Sequence, residues 1–532
     1  MSEFSLRSVL AAAAALVAAA IVAPAAGAGP LTASPPVEAS PTNLLAGCAP
    51  DGSGVNFPDS EVEPYVDVNP TDTDNIVGGY QQDRYSNGGA KGNVASVSFD
   101  GGASWTQVAI PAHNRCTGPT ARFERATDPW VSFGPDGAAH FMTLSLDPDP
   151  PTGGFGDNAM VYNRSTNGGL TWEAPIILKE DTDPRFLNDK NSITADPNDA
   201  DFVYAVWDRL ETARGEIVAA PQGRENVVGL GFKGPAWFTR TTNGGDSWEP
   251  ARIIYATGAN NQTIGNQIVV RPAAVGGDVL NFFNETLTRP GFRMFLSFVR
   301  STDKGATWDR NATRVSQVVP MDRVREDGVI DTEPVPCPDP TDQGACPIRT
   351  ADILFDVAVN RGNGNLYAVW QDARFSGFRY DTIAFSQSTN GGQSWSAPVR
   401  INPGSDARAR IDDRQAFIPV VHVTDDGTVG VTFYDFRNNT ATDGILATDQ
   451  FAVHCHANCT QTASWAETRV TPTPFDMRRA PFARGYFVGD YVGLGFIADD
   501  GDGTAPGDAF ASLFSQSHGT DPASAFLSRL VP

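Results

Sequence analysis

The chain has 532 residues, a formal charge of -23 and a pI near 4.6. So acidic a surface repels nucleic acid and anionic membranes, and neither is expected as a partner. With 41% hydrophobic residues, 52 glycines and 39 prolines, the composition suits a large core cut by many turns.

Residues 1–28 read as a secretory signal peptide. Arg7 precedes an apolar run from Val9 to Val22, and Ala26-Gly27-Ala28 suits cleavage. No later stretch is apolar enough to span a bilayer, so a secreted chain with no membrane attachment after cleavage is expected. Residues 29–43, rich in Pro, Ala, Ser and Thr, read as a flexible leader, and 44–532 as one domain. Six cysteines in an exported chain are expected to pair as Cys48–Cys116, Cys337–Cys346 and Cys455–Cys459. Their spacing is not that of a metal site, and His454 and His456 read as exposed imidazoles at a strand end. The stretch Asp499-Asp-Gly-Asp-Gly503 could offer oxygens to a structural Ca2+, but it lacks the full twelve-residue loop with its terminal Glu. An ordinary acidic turn is the preferred reading, and no cofactor is expected.

One octapeptide recurs along the rest. It reads SFDGGASW at 98–105, STNGGLTW at 165–172, TTNGGDSW at 241–248, STDKGATW at 301–308 and STNGGQSW at 388–395. NCTQTASW, ending at Trp465, keeps the Trp and loses the glycine. Each copy lies between two β-rich runs and reads as a strand–turn–strand corner. Asp100, Asn167, Asn243, Asp303 and Asn390 would bond turn N–H groups, and the glycines would take positive φ. The Trp is expected to fold back and bury itself against its own hairpin.

These octapeptides resemble the Asp-box (BNR) repeat of sialidases and related β-propellers. The resemblance covers nearly the whole chain after the signal, and it implies an all-β propeller of four-stranded antiparallel blades. It also implies that the corners are folding devices on the face away from the chemistry. Innermost strands are expected at Pro64–Val68, Pro129–Phe133, Asn191–Ala195, Gln267–Val270, Ile353–Val359, Ala416–Val423 and Tyr491–Phe496. That count favours seven blades, with six as the alternative. The last blade lacks its outer strand, so a segment within Asn43–Phe57 is expected to close the ring.

Long insertions fall between outer and inner strands, or between second and third strands, which places them on one face. They include 111–127, 147–157, 210–235, 320–350, 402–413 and 471–489. Recurrent polar positions map to the same face. Glu63, Asp128, Asp189, Asp352 and Asp490 precede innermost strands and are expected to ring the channel mouth as catalytic carboxylates. Arg84, Arg209, Arg374, Arg414 and Arg437, with Tyr491, are expected around them as substrate-binding groups. Arg84, Arg209, Arg374 and Arg437 belong to Asp/Arg pairs: Asp83-Arg84, Asp208-Arg209, Asp372-x-Arg374 and Asp435-x-Arg437. A competing reading makes such pairs inter-blade salt bridges.

Sialidase resemblance implies a glycan substrate and two-carboxylate hydrolysis. In sialidases a Phe-Arg-Ile-Pro motif supplies the first arginine. The matching stretch here, Glu63-Pro-Tyr-Val-Asp-Val-Asn69, has none, which widens the resemblance to the Asp-box superfamily at large. The sequence therefore points to a secreted, monomeric, sialidase-like glycosidase, with a non-catalytic glycan- or protein-binding propeller as the alternative.

Overall fold

The computed structural model describes residues 29–531 apart from 119, 152, 213–218, 221–223, 226–231, 290, 320–347, 405–413, 441–443 and 499–507. The signal peptide, the Cys337–Cys346 pair and the Asp499–Gly503 stretch lie outside the described residues. Cys48–Cys116 and Cys455–Cys459 are both formed.

The described residues are all-β, arranged as successive antiparallel units of four strands. Unit I comprises Glu61–Val68, Asn75–Arg84, Ala90–Phe99 and Thr106–Ala109. Unit II comprises Arg125–Phe133, Ala139–Leu146, Asn158–Ser165 and Ile176–Asp181. Unit III is built from Phe186–Ala195, Val203–Thr212, Ala236–Thr241 and Arg252–Tyr255. Unit IV follows with Gln262–Val270, Val279–Leu287, Arg293–Ser301 and Thr313–Val318. Units V and VI begin at Phe355–Val359 and Ala416–Val423 and end at Val399–Arg400 and Ala466–Arg469. Unit VII has Gly493–Ile497, Ala509–His518 and Asp521–Val531.

The outer edge of unit VII is covered from the other end of the chain. Thr32–Ala33 and Val37–Glu38 both pair antiparallel with Asp521–Val531. These residues belong to the stretch read from sequence as a flexible leader. Asn43–Phe57 packs instead on unit I. Leu45 N donates to Gln82 Oε1 at 3.1 Å, Phe57 N donates to Arg84 O at 2.8 Å, and Cys48 is bonded to Cys116. A short, Pro-interrupted strand suffices at an edge, where only one side needs a partner. That is why its sequence signal is weak.

Each first strand packs against the first strand of the next unit, and Gly493–Ile497 packs against Glu61–Val68. A cavity of about 140 Å³ is lined by residues from the first strands of all seven units, among them Tyr65, Trp130, Thr194, Val269, Asp356, His422 and Leu494.

Five corners share one hydrogen-bond pattern. The first hydroxyl accepts from the glycine four residues on: Ser98 from Gly102 N at 2.8 Å, Ser165 from Gly169 N at 2.9 Å, and Thr241 from Gly245 N at 3.0 Å. Ser301 and Ser388 do the same for Gly305 N at 2.7 Å and Gly392 N at 2.8 Å. The Asp or Asn Oδ1 accepts the N–H four residues on, as at Asp100–Ser104, 2.8 Å, and Asn390–Ser394, 3.0 Å. Asp and Asn interchange because the hydroxyl at that fourth position can reverse its role. Ser104 donates to Asp100 Oδ2 at 2.5 Å, whereas Ser394 accepts from Asn390 Nδ2 at 2.8 Å. In the sixth corner the Cys455–Cys459 disulfide constrains the turn, and Trp465 Nε1 donates to Cys459 O at 2.9 Å.

The corner tryptophans do not simply fold onto their own hairpins; most reach the preceding unit. Trp248 meets Tyr162 of unit II, Trp308 meets Phe238 of unit III, and Trp465 meets Phe385 of unit V, with ring centres 4.8–5.2 Å apart. Trp395 meets Phe282 and Phe298 of unit IV, and Trp105 packs on a cluster holding Leu513 and Leu527 of unit VII. Trp172 touches Phe141 of its own unit within a cluster shared with unit I. Trp465 is 8% exposed, and the other five are half-buried. They rivet neighbouring sheets together.

Candidate functional site

First strands carry a recurring irregularity. In units I, II, III, IV and VI the pairing slips by a residue, at Val62/Tyr65, Thr127/Trp130, Asp189/Ser192, Ile264/Gln267 and Phe417/Val420. The residue in the slip is left-handed: Glu63 (φ 53°), Asp128 (φ 50°), Lys190 (φ 46°), Gly265 (φ 71°) and Ile418 (φ 51°). These are β-bulges with an αL residue, a conformation that suits glycine and costs other residues about 1–2 kcal/mol. Three consecutive units hold a charged side chain there, which makes the spot a candidate site.

The bulges aim Glu63, Asp128 and Lys190 at one point, and Asp490 joins from unit VII. Lys190 Nζ lies 3.6 Å from Glu63 Oε1, 3.6 Å from Asp128 Oδ2, and in direct contact with Asp490 Oδ2. Arg349 also contacts Asp490 Oδ2. Asp490 N donates to Glu63 Oε1 at 3.3 Å, and Gln81 Nε2 donates to Glu63 Oε2. Thr127 Oγ1 donates to Asp128 Oδ1 at 2.8 Å and accepts from Arg84 Nη1 at 3.3 Å. Arg84 and Arg349 both stack on Phe487, at 5.1 and 4.4 Å. Glu63, Asp128 and Asp490 are buried, yet Asp128 Oδ2 and Asp490 Oδ1 lack hydrogen bonds.

The environment drives these carboxyls apart. Burial, reinforced by Asp128 and only partly opposed by Lys190, raises Glu63 to about 8. Burial also pushes Asp490 upward, but Arg349 and Lys190 outweigh it and hold Asp490 well below the carboxylate range. Asp189 is raised by burial, with Lys190 opposing. Burial disfavours the Lys190 cation, but Asp128, Asp490, Glu63 and Asp189 outweigh it and keep Lys190 charged. At neutral pH the cluster therefore holds a protonated Glu63 beside an ionised Asp490.

Of the carboxylates expected from sequence, Glu63, Asp128 and Asp490 meet. Asp189 stands one residue before the bulge, which presents Lys190 in its place; Asp189 Oδ1 accepts from Lys190 N at 2.9 Å. Asp352 is buried next to Ala351, which lines a narrow cavity shared with Asp490, Tyr491, Tyr65 and Trp130. The hydroxyl of Tyr491 is committed to Pro129 O at 3.0 Å, and its ring lies 5.2 Å from Trp130. Tyr491 thus belongs to the aromatic floor below the carboxyls rather than to a substrate-facing surface.

Of the arginines, only Arg84 is brought into the cluster. Arg209 forms two bonds of 2.7 and 2.6 Å to Asp181 and stacks on Phe186 at 3.7 Å. Arg374 is forked onto Asp372, with 2.7 Å to each oxygen. Arg437 bonds Asp435 at 2.5 Å and also holds Glu467. Arg414 lies 6.0 Å from the ring of Tyr380. The turn that follows each second strand explains the division. Asp372 and Asp435 end their strands and accept the backbone N–H two residues on, from Arg374 at 2.9 Å and Arg437 at 3.1 Å, so each arginine folds back onto that same carboxylate. In Asp83-Arg84 and Asp208-Arg209 the two residues are adjacent within the strand and go to different partners. Asp83 goes to Lys91 at 2.8 Å, and Asp208 accepts from Gly265 N at 2.8 Å.

Sequence reasoning missed Lys190, Arg349 and Phe487. Lys190 was masked by the one-residue slip, although a lysine between Asp189 and Asn191 was a visible break in the repeat. Arg349 and Phe487 lie in long insertions with no counterpart in other units.

No family model and no curated protein sequence matches the chain. Solved structures similar in fold include a protein of unknown function from Dyadobacter fermentans, at 12% identity and TM-score 0.44, over 90% of this chain and 98% of that one. Another is the Hadza microbial sialidase Hz136, at 15% identity and TM-score 0.42, over 72% and 65%. A third is the Penicillium chrysogenum alpha-L-arabinanase complexed with arabinobiose, at 11% identity and TM-score 0.43, over 94% and 98%. These are remote likenesses and carry no residue correspondence.

Proposed function

We propose that this chain is a secreted seven-bladed Asp-box β-propeller, closed by its N-terminal strands, that hydrolyses glycosidic bonds at the Glu63–Asp128–Asp490 cluster. The observation that carries the reading is the meeting of Glu63, Asp128 and Asp490 around Lys190, with Asp128 Oδ2 and Asp490 Oδ1 left without hydrogen bonds; burial raises Glu63 while Arg349 and Lys190 depress Asp490, so the two carboxyls differ in acidity. Glycoside hydrolysis needs this pairing of an acid with a carboxylate. Glu63 would protonate the leaving oxygen. Asp490 would face the positive charge that develops on the sugar ring, and Asp128 would orient water through its unbonded Oδ2. Arg84 and Arg349 would bind polar substituents of the glycan. The two disulfides support an extracellular setting.

A second reading, a non-catalytic binding propeller whose cluster is a structural ion knot, is favoured by one observation: Lys190 ties together three buried carboxyls. A panel of aryl glycosides, sialosides and arabinosides, assayed from pH 4 to 10, separates the two. The hydrolase reading expects turnover that falls as pH rises through about 8, where Glu63 loses its proton. Absence of turnover across the panel, with Glu63→Gln and Asp128→Asn changing only the thermal melt, would establish the ion knot instead.

A further inference from the structure

Far from the carboxyl cluster in sequence, unit VI carries two histidines that the proposed chemistry does not use. His454 lies in the strand Ala447–Cys455, and His456 follows at the start of the corner. Two residues apart on an extended chain, they fall on the same side, and their ring centres are 5.1 Å apart. His454 is 1% exposed, its ring lies beside the Ala466 backbone, and neither ring nitrogen makes a hydrogen bond of good geometry. Leaving a buried imidazole unsatisfied costs free energy, and such a group calls for an explanation. His456 beside it is exposed, so the pair spans the boundary between protein and solvent.

We propose that His454 and His456 form a binding site for a divalent transition-metal ion, Cu2+ foremost. Metal–nitrogen bonds of about 2.0–2.1 Å, with roughly 1.1 Å more from nitrogen to ring centre, put two imidazoles at a tetrahedral angle about 5 Å apart. The observed spacing matches. The tautomer of His456 is set by its surroundings. Its Nδ1 lies 2.7 Å from Thr428 Oγ1, and the Thr428 hydroxyl is in turn bonded to the Asp426 carboxylate. A hydroxyl that donates to Asp426 accepts from Nδ1–H, which leaves the Nε2 lone pair of His456 for a metal. Such outer partners orient metal-binding histidines. The Cys455–Cys459 disulfide encloses His456 in its loop and fixes the backbone there. Gly430, the cross-strand partner of His454, adds no side chain to the space. Among the described residues no third His, Cys, Asp or Glu groups with the pair, so water or a second molecule completes the coordination. The spacing does not select among these ions, and Cu2+ comes first because it binds nitrogen ligands most tightly in the divalent series.

The test is a titration of the full, disulfide-intact protein with CuCl2 in a non-coordinating buffer, followed by calorimetry and by electron paramagnetic resonance. One Cu2+ per chain with hyperfine splitting from two nitrogens is expected. His456→Ala, an exposed change that leaves folding intact, should abolish that signal. Thr428→Val should weaken binding about 10–100-fold. His518→Ala removes another exposed histidine and should change nothing. Stoichiometric two-nitrogen binding that survives in His456→Ala, or no binding by the wild type at micromolar Cu2+, overturns the proposal.

Discussion

Two groups of units share a backbone and differ in chemistry. Units I to III place Glu63, Asp128 and Lys190 in the left-handed bulge, while units IV and VI place Gly265 and Ile418 there. The charged group of units converges on a single ammonium. In the other, Ile418 joins a buried apolar cluster, and Gly265 lies against Leu354, towards which an added Cβ would point at 2.8 Å. The bulge is therefore a property of the repeat, and the site arises from what particular units put into it. Repetition marks the scaffold, and departure from it marks the chemistry.

Five substitutions probe that contrast. The largest effect is expected for Glu63→Gln, which keeps shape but cannot donate a proton: turnover should drop about 10²–10⁴-fold. Because folding at pH 7 makes Glu63 take up a proton that Gln does not need, Glu63→Gln should raise the urea midpoint at pH 7 and leave it almost unchanged near pH 4. A large loss of stability would mean that Glu63 is ionised there. Its linkage runs one way. A carboxyl raised from 4.5 to about 8 gives its full contribution below 4.5 and loses it as pH rises towards 8.

Asp490→Asn should behave in the opposite sense. Asp490 is depressed, so its contribution is present above its ordinary value of 3.8 and is lost as acid protonates it. Removing the charge strands Arg349 and Lys190 and should cost about 3 kcal/mol at pH 7. The difference from wild type should shrink in acid, as urea midpoints at pH 7 and pH 3 would reveal.

The corner tryptophans refine the comparison away from the site. Trp465→Ala, at a buried position, should cost about 3 kcal/mol. Trp395→Ala, at a half-buried one, should cost about 2 kcal/mol by the same reasoning. Neither should shift the relative rates on different glycosides, because both rings lie in seams between units. Equal costs would show that exposure does not grade these seams. The smallest effect is expected for Gly265→Ala, about 1–2 kcal/mol from the left-handed backbone, with Leu354 able to yield. A loss of turnover in Gly265→Ala, beyond what its melt explains, would join the two groups of units functionally.

Much of the fold was legible because its signals are local. The Ser–Asp/Asn–Gly–Trp spacing encodes hydrogen bonds spanning at most a few residues, from Ser98 to Gly102 and from Asp100 to Ser104. Alternating apolar runs fix which residues pair. The closing strands Thr32–Ala33 and Val37–Glu38 were hidden because their partner lies almost 500 residues away and only one edge is paired. Glu63, Asp128 and Asp490 were legible as acids preceding inner strands, and Lys190 was not, since a bulge is invisible to alignment by spacing.

The sequence by itself determined an all-β repeat, its corners, the Cys48–Cys116 and Cys455–Cys459 pairs, and a set of acids and arginines on the inner and second strands. Only the tertiary structure decided which of them act together. A tight turn after the strand folds Arg374 and Arg437 back onto their own aspartates, while Arg84, still within its strand, reaches Thr127. The bulge substitutes Lys190 for Asp189, and Arg349 arrives from an insertion. The protonation of Glu63 and the ionisation of Asp490 depend on burial and on charges held a few ångströms away. Those distances join three successive units to Arg349 and Asp490, which lie far away along the chain.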